Sequence, residues 1–296
     1  MVILGIGDKM TIKQLLKIFY EFIKDMGITI TPIITVISFI YLYKPWQEIF
    51  EPYFIQITIF TLLISIIFPI IKRLYLKCRS SFRIKFNSPV FEIEIKYGDL
   101  FKEKSNIVIG FSNYFDTQMP EVISPNSVQG QFEQLHYKDN LEKLNTDILN
   151  ALKRKKYKAI RSNTEKINGK KLELPIGTSI SIFKNDCKFF LTAYSKMNDR
   201  CMAESNIEFL TKALNELWNE VRASGQCNPI AMPVLGSGLA RILASKKDLL
   251  YLILLSFITN SKEQIITKKL TIVLNEKDKD KFKLNEIETF LKNLQG

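Results

Sequence analysis

The hydrophobic pattern divides the chain in two. Before residue 72 lie two dense apolar blocks, Ile28–Tyr43 and Tyr53–Ile71; after about Ser88 short apolar runs alternate with stretches of helical period. Val90–Tyr97 alternates apolar and charged residues, the signature of a half-buried strand, and Ile107–Phe111 is a continuous apolar run of the kind covered on both faces. Phe132–Lys155 has helical spacing at Leu141, Leu144, Ile148 and Leu152. Gly177–Phe183 and Lys188–Tyr194 read as a hairpin turning at Asn185-Asp186. Ser205–Ala223 is an amphipathic helix on Ile207, Leu210, Leu214, Leu217 and Val221. A strand Pro229–Leu235, a glycine turn, a helix from Leu239 to about Phe257, a strand Leu270–Leu274 and a helix near Asn285–Leu294 complete the pattern. Strands interleaved with helices predict a three-layer α/β/α domain, with ligands at the carboxyl ends of strands.

The second apolar block runs 19 residues without a charge. As a helix it reaches about 28 Å, close to the hydrocarbon thickness of a bilayer. The first block has 16 residues and needs Gly27 and Trp46 at its edges to cross. Lys9, Lys13, Lys17 and Lys24 precede the first block, and Lys72, Arg73, Lys77, Arg79, Arg83 and Lys85 follow the second. Basic residues on both outer flanks predict a transmembrane hairpin with both termini cytoplasmic. The expected order is therefore a cytoplasmic amphipathic segment 1–26, a hairpin 27–76 with spans at 28–43 and 53–71, a basic linker 77–87, and a ligand-binding domain 88–296. Thr29, Thr31, Thr35, Ser38, Gln56, Thr58, Thr61 and Ser65 could bond between the spans, line a leak, or bond back into their own helices.

Composition adds a net charge of +12, which suits contact with anionic lipid headgroups. A second cluster, residues 153–158, is either a solvated helix end or a site for lipid, nucleic acid or an anionic ligand. The aromatic residues around it are too sparse for stacked bases, so no nucleic-acid partner is expected. Cys78, Cys187, Cys201 and Cys227 lack the spacing of a zinc site and His136 is the sole histidine, so no metal and no catalytic residue is predicted.

Candidate chemistry gathers in three places. Pro233-Val-Leu235-Gly236-Ser237-Gly238-Leu239 joins a strand to the predicted helix, where bare backbone N–H groups and the helix dipole would cradle a diphosphate. It is neither a P-loop nor a nucleophile elbow. Asn106–Thr117 places Gly110, Ser112, Asn113, Asp116 and Thr117 at a strand end, where hydroxyls, amides and carboxylates suit ribose. Ser124–Gln131 is a polar loop that could close over a ligand, with Gln131 at its end.

Gly98-Asp99-Leu100, Asn106-Ile-Val-Ile-Gly110-Phe-Ser-Asn113 and Pro233-Val-Leu-Gly-Ser-Gly238 follow the order of landmarks in macro domains, which bind ADP-ribose. With the N-terminal apolar hairpin, the whole chain resembles the membrane-anchored macro-type effectors of bacterial Thoeris antiviral defence. The resemblance implies a macro fold with a mixed central sheet and a diphosphate loop at Pro233–Leu239. It puts Asn106 where the family has an aspartate for the adenine amine. Asn113 matches the second asparagine of the distal-ribose motif, and Gly110 replaces the first. The family's glycine-rich loop is replaced by Asp116–Gln131, which fits a receptor better than a hydrolase.

The resemblance further implies a signal made by a TIR-domain NAD-consuming partner, an ADP-ribose derivative such as histidine-ADP-ribose. Its binding would drive homo-oligomers of the effector in the bacterial inner membrane to disrupt that membrane and kill the infected cell. No other cofactor is implied. The alternatives are a membrane-tethered ADP-ribosyl hydrolase or nucleotide-processing enzyme, and a structural scaffold that binds no ligand.

Overall fold

The computed structural model describes residues 12–42, 44–138, 140–238 and 242–295. The chain forms two compact units, one ending at Arg79 and the other beginning at Ser80.

The first unit is helical: α1 (Ile12–Leu42), α2 (Lys44–Phe50) and α3 (Phe54–Cys78), with α1 packed against α3. Among the described side chains of α3, Thr61, Ser65 and Pro69 are the buried ones, a four-residue spacing that puts them on one stripe. Thr31, Thr35, Ser38, Thr58, Thr61 and Ser65 each donate to the carbonyl four residues back, so these hydroxyls are satisfied within their own helices. Lys72 Nζ meets Asp25 Oδ1 at 2.6 Å, tying α3 to α1. Among the described residues one helical stretch, Glu48–Lys72, is long and apolar enough to cross a membrane. The other expected span, 28–43, falls at the end of α1 and reaches Tyr43, which lies outside the described residues.

The second unit is an α/β/α sandwich. Its strands are β1 (Ser81–Asn87), β2 (Val90–Tyr97), β3 (Asn106–Ser112), β4 (Arg161–Ser162), β5 (Leu172–Glu173), β6 (Ser179–Lys184), β7 (Cys187–Met197), β8 (Ala203–Glu204), β9 (Ile230–Met232) and β10 (Lys269–Leu274). Its helices are α4 (Val128–His136), α5 (Leu141–Arg154), α6 (Ile207–Ser224), α7 (Lys246–Glu263) and α8 (Leu284–Asn293). The main sheet runs β1-β2-β10-β9-β3-β7-β6, with β8 on β7 and β4–β5 forming a separate ribbon. β2, β10, β9, β3 and β7 are parallel, while β1 and β6 run antiparallel at the edges, so the sheet is mixed.

Alternation along the central strands explains the two cores. Ile230 and Met232 of β9 and Leu270, Ile272 and Leu274 of β10 face α6, α7 and α8. Ile107, Ile109 and Phe111 of β3 and Phe189, Leu191 and Ala193 of β7 face α4 and α5. With helices on both faces, most central positions must be apolar.

Three predicted boundaries need correction. The basic linker 77–87 is largely strand β1: Phe82, Ile84 and Phe86 are buried while Ser81, Arg83, Lys85 and Asn87 point outward, so the domain begins near Ser80. Its charges masked a period of two. The helix expected over Phe132–Lys155 is two helices, because Lys138 takes a positive φ and Asn140 caps α5 by accepting from Lys143 N. The helix expected from Leu239 begins at Lys246, where Ser245 and Asp248 form a capping box.

Candidate functional site

The parallel strands end together, at Tyr97, Leu274, Met232, Ser112 and Met197. β3 and β9 are neighbours whose chains leave in opposite senses. From β3 the chain crosses through α4 and α5, on one face, toward β6 and β7; from β9 it crosses through α7, on the other face, to β10. Such a divergence opens a crevice at the carboxyl ends of the two strands. Residues 113–127 leave the end of β3, and residues 233–238 leave the end of β9.

Gly236 sits at φ +80°, and a Cβ there would come within 2.4 Å of Ile242 Cδ1. Backbone shape and space therefore both demand glycine. Ser237 closes the turn, its hydroxyl donating to Val234 O at 2.6 Å. Gly238 has open space around it, Leu235 is buried beneath the loop and Pro233 is half-buried. Leu239 lies outside the described residues. α7 starts only at Lys246, after the non-helical residues 242–245, so its N-terminus is not the end of the Gly236–Gly238 turn.

The Tyr194 ring of β7 lies across Gly110 of β3. A Cβ on Gly110 would meet its Cε1 at 2.4 Å and Leu235 Cδ2 at 3.0 Å, so Gly110 exists to let that ring cross β3. Burial pushes the Tyr194 phenol up to about 12, and the Gly236 N–H bonded to it pulls the other way.

The polar residues expected to meet ribose each hydrogen-bond within the protein. Asn113 is buried; its Nδ2 donates to Glu173 Oε1 at 3.1 Å and its Oδ1 accepts from Met197 N at 3.2 Å. Asp116 has no exposed surface. Its Oδ1 accepts from Lys166 Nζ at 2.8 Å and Lys170 N at 2.7 Å, and Ser112 Oγ reaches its Oδ2 at 3.4 Å. Thr117 Oγ1 donates to Asn145 Oδ1 at 2.8 Å. Gln131 is exposed on α4 and bonds Asn126 O at 3.2 Å. Together Asn113 and Asp116 anchor the segment 163–173 against the end of β3.

A titratable pair lies behind this wall. Glu133 is fully buried, accepts from Gln129 Nε2 at 2.8 Å on one oxygen and has its other oxygen without a partner. Burial raises its carboxyl to about 7, against the pull of Gln129. Burial also lowers the Lys170 ammonium to about 8, with Asp116 opposing, while Lys170 Nζ donates to Phe115 O at 2.6 Å. A shallow cavity of about 290 Å³ opens beside Thr117, Gln118, Leu141, Asn145, Gly169 and Lys170.

Asn106 stands apart from all of this. It starts β3, at the opposite edge of the sheet, where its Oδ1 takes Lys188 N at 3.4 Å. Asp99 follows Gly98 just past the carboxyl end of β2, with β10 between β2 and β9; it is exposed, and its carboxylate accepts from Phe101 N at 3.0 Å. Sequence reasoning passed over Asp99 as a site residue, although its place just after a predicted strand end was the available signal.

Residues 93–275 match the family model described as Thoeris protein ThsA, Macro domain. Thoeris protein ThsA of Bacillus amyloliquefaciens (strain Y2) is 30% identical over 210 residues, 68% of this chain and 68% of that protein. Among solved structures, an Oceanobacillus iheyensis macrodomain with ADP superposes with a TM-score of 0.50 at 18% identity, covering 73% of this chain and 99% of that one. A single-residue variant of the same macrodomain gives 0.50 at 16% identity, covering 73% and 96%. These likenesses show a macro fold, as the sequence led us to expect.

Proposed function

The chain belongs to the ThsA macro-domain family of Thoeris antiphage defence, and on that premise we propose that it is a signal-gated membrane effector. The observation that carries the reading is the crevice between β3 and β9, with a glycine loop on one lip and Asp99 on the same sheet edge. An ADP-ribose derivative, for instance histidine-ADP-ribose, suits it. Loop amides around Gly236–Gly238 would hold the diphosphate, and the Asp99 carboxylate would accept from the adenine amine. In this reading Asp99 takes the role that the sequence assigned to Asn106.

Receptor is favoured over hydrolase. Asn113, Asp116 and Thr117 spend their hydrogen bonds on Glu173, Lys166, Lys170 and Asn145, which leaves them poorly placed to orient a water. The ligand is taken to come from a TIR-domain enzyme that consumes NAD. Bound ligand biases the macro domain toward an associated state, and the α1–α3 hairpin, inserted in the inner membrane with both termini cytoplasmic, then disrupts the bilayer. The shift is as large as the ligand's differential affinity for the two states allows.

Calorimetry on the full chain in detergent tests the reading. Saturable heat with ADP-ribose or its histidine conjugate is expected, and absence of heat up to millimolar ligand overturns it. In cells, Gly236→Glu, which sets a charge in the loop, should abolish toxicity at normal expression.

A further inference from the structure

The basic cluster at the end of α5 continues into the β4–β5 ribbon, and neither takes part in the crevice. Residues 153–171 hold nine Lys and Arg against a single acid, Glu165. Several of these are committed internally: Lys155 to Glu220, Arg161 to Glu173, Lys166 to Asp116. No ion pair engages Lys153, Lys156 or Lys158 among the described residues, and all three are exposed.

The same segment displays large aliphatic side chains to solvent: Ile160 is 63% exposed, Ile167 67% and Leu172 57%. The register explains two of them. Arg161 lies opposite Glu173 and Ser162 opposite Leu172, so Ile160 and Leu172 share the ribbon face away from the Arg161–Glu173 pair. Ile167 projects from the connecting loop. That loop is held from below, with Lys166 Nζ bonded to Asp116 Oδ1, Asn168 O and Lys170 O. Ile160 N donates to Glu173 O at 2.7 Å. The ribbon is thus a pre-ordered element that presents aliphatic side chains beside unpaired lysines.

We propose that this ribbon is a docking surface for an anionic phospholipid leaflet. Lysines gain from the negative surface potential, and the aliphatic tips gain by leaving water at the headgroup boundary. A nucleic acid would use the lysines but not the isoleucines, and it would want exposed aromatic platforms; the segment offers only a half-buried Tyr157. The surface is separate from the crevice, so its loss should leave ligand binding intact.

The test uses the full chain bearing Ile160→Trp, incorporated into nanodiscs of phosphatidylcholine alone or with about three tenths phosphatidylglycerol, an ordinary anionic fraction for such work. Fluorescence of the parent chain is subtracted to remove Trp46 and Trp218. A blue-shifted signal quenched by headgroup-brominated lipid, in the anionic discs only, is the expected result. High salt should reverse it. Lys156→Glu with Lys158→Glu should lower the docked-to-undocked ratio at least about 30-fold, from two lost attractions near the surface.

An unshifted signal in both discs overturns the proposal, as does equal quenching in both, which would mean apolar contact without charge recognition. A shift produced by an oligonucleotide and not by phosphatidylglycerol overturns it in favour of nucleic acid. Calorimetry with ADP-ribose on the Lys156→Glu, Lys158→Glu chain separates this outcome from failure of the receptor reading. Unchanged heat with lost quenching assigns the two sites independently.

Discussion

Asp116 and Lys166 make a contact that a ligand-binding role for Asp116 does not anticipate. Both side chains have no exposed surface and their charged atoms lie 2.8 Å apart. Asp116→Asn leaves the Lys166 ammonium buried with the Asn168 and Lys170 carbonyls and the Tyr114 ring but no counter-charge among these contacts. Removing one partner of a buried pair costs about 3–5 kcal/mol, because the surviving charge is uncompensated. Lys166→Met should cost a similar amount by stranding the carboxylate, which would keep Lys170 N and Ser112 Oγ. The double variant Asp116→Asn, Lys166→Met removes both charges and should recover all but about 1–2 kcal/mol, giving a large favourable coupling in the cycle. Trp218, fully buried beside Phe257, reports unfolding of this unit in urea by its fluorescence. An Asp116→Asn chain within about 1 kcal/mol of the parent, or a double variant no better than the singles, refutes the reasoning. Asp116 would then be free to serve a ligand after all.

Three further outcomes follow from the site. Glu133 has a carboxyl raised to about 7 from 4.5, so the native state binds the proton more tightly. Its stabilising contribution is complete below pH 4.5, declines as pH rises, and is gone above about 7, a loss of about 3 kcal/mol at most. Glu133→Gln should flatten urea midpoints across that window, and an unchanged slope would show that the carboxyl is not held neutral. Gly236→Ala should cost about 1–3 kcal/mol through its positive φ and the Ile242 contact, and should weaken ADP-ribose binding as well; melting curves and calorimetry read the two effects. Asp99→Ala should lower affinity about tenfold with little change in melting temperature, whereas Asn106→Ala should leave affinity unchanged. The reverse ranking in titrations would restore Asn106 to the site.

Much of the fold was legible from local pattern. Val90–Tyr97 emerges with the expected bounds, and the Asn185-Asp186 turn closes β6 onto β7 with both residues at positive φ. Asn206, whose side chain accepts from Phe209 N, starts α6 near the predicted position. β1 was hidden because Arg83 and Lys85, on its outward face, read as a basic linker in a row of positive charges. The start of α7 was misplaced because the glycine turn suggested a cap, whereas the capping box lies at Ser245 and Asp248.

The site divides along the same line. Sequence alone determined that a glycine-dependent loop follows β9 and that a polar loop follows β3, since both properties belong to a few consecutive residues. Tertiary structure decided which strand ends lie together, and therefore that Asp99 stands at the carboxyl ends of the parallel strands while Asn106, seven residues further on, stands at their amino ends. It also decided that Asn113 and Asp116 face inward. Their partners Glu173 and Lys166 lie 60 and 50 residues away. A hydrogen bond across such a separation leaves no mark on local periodicity, so only the folded chain shows whether a polar side chain meets solvent, ligand or its own protein.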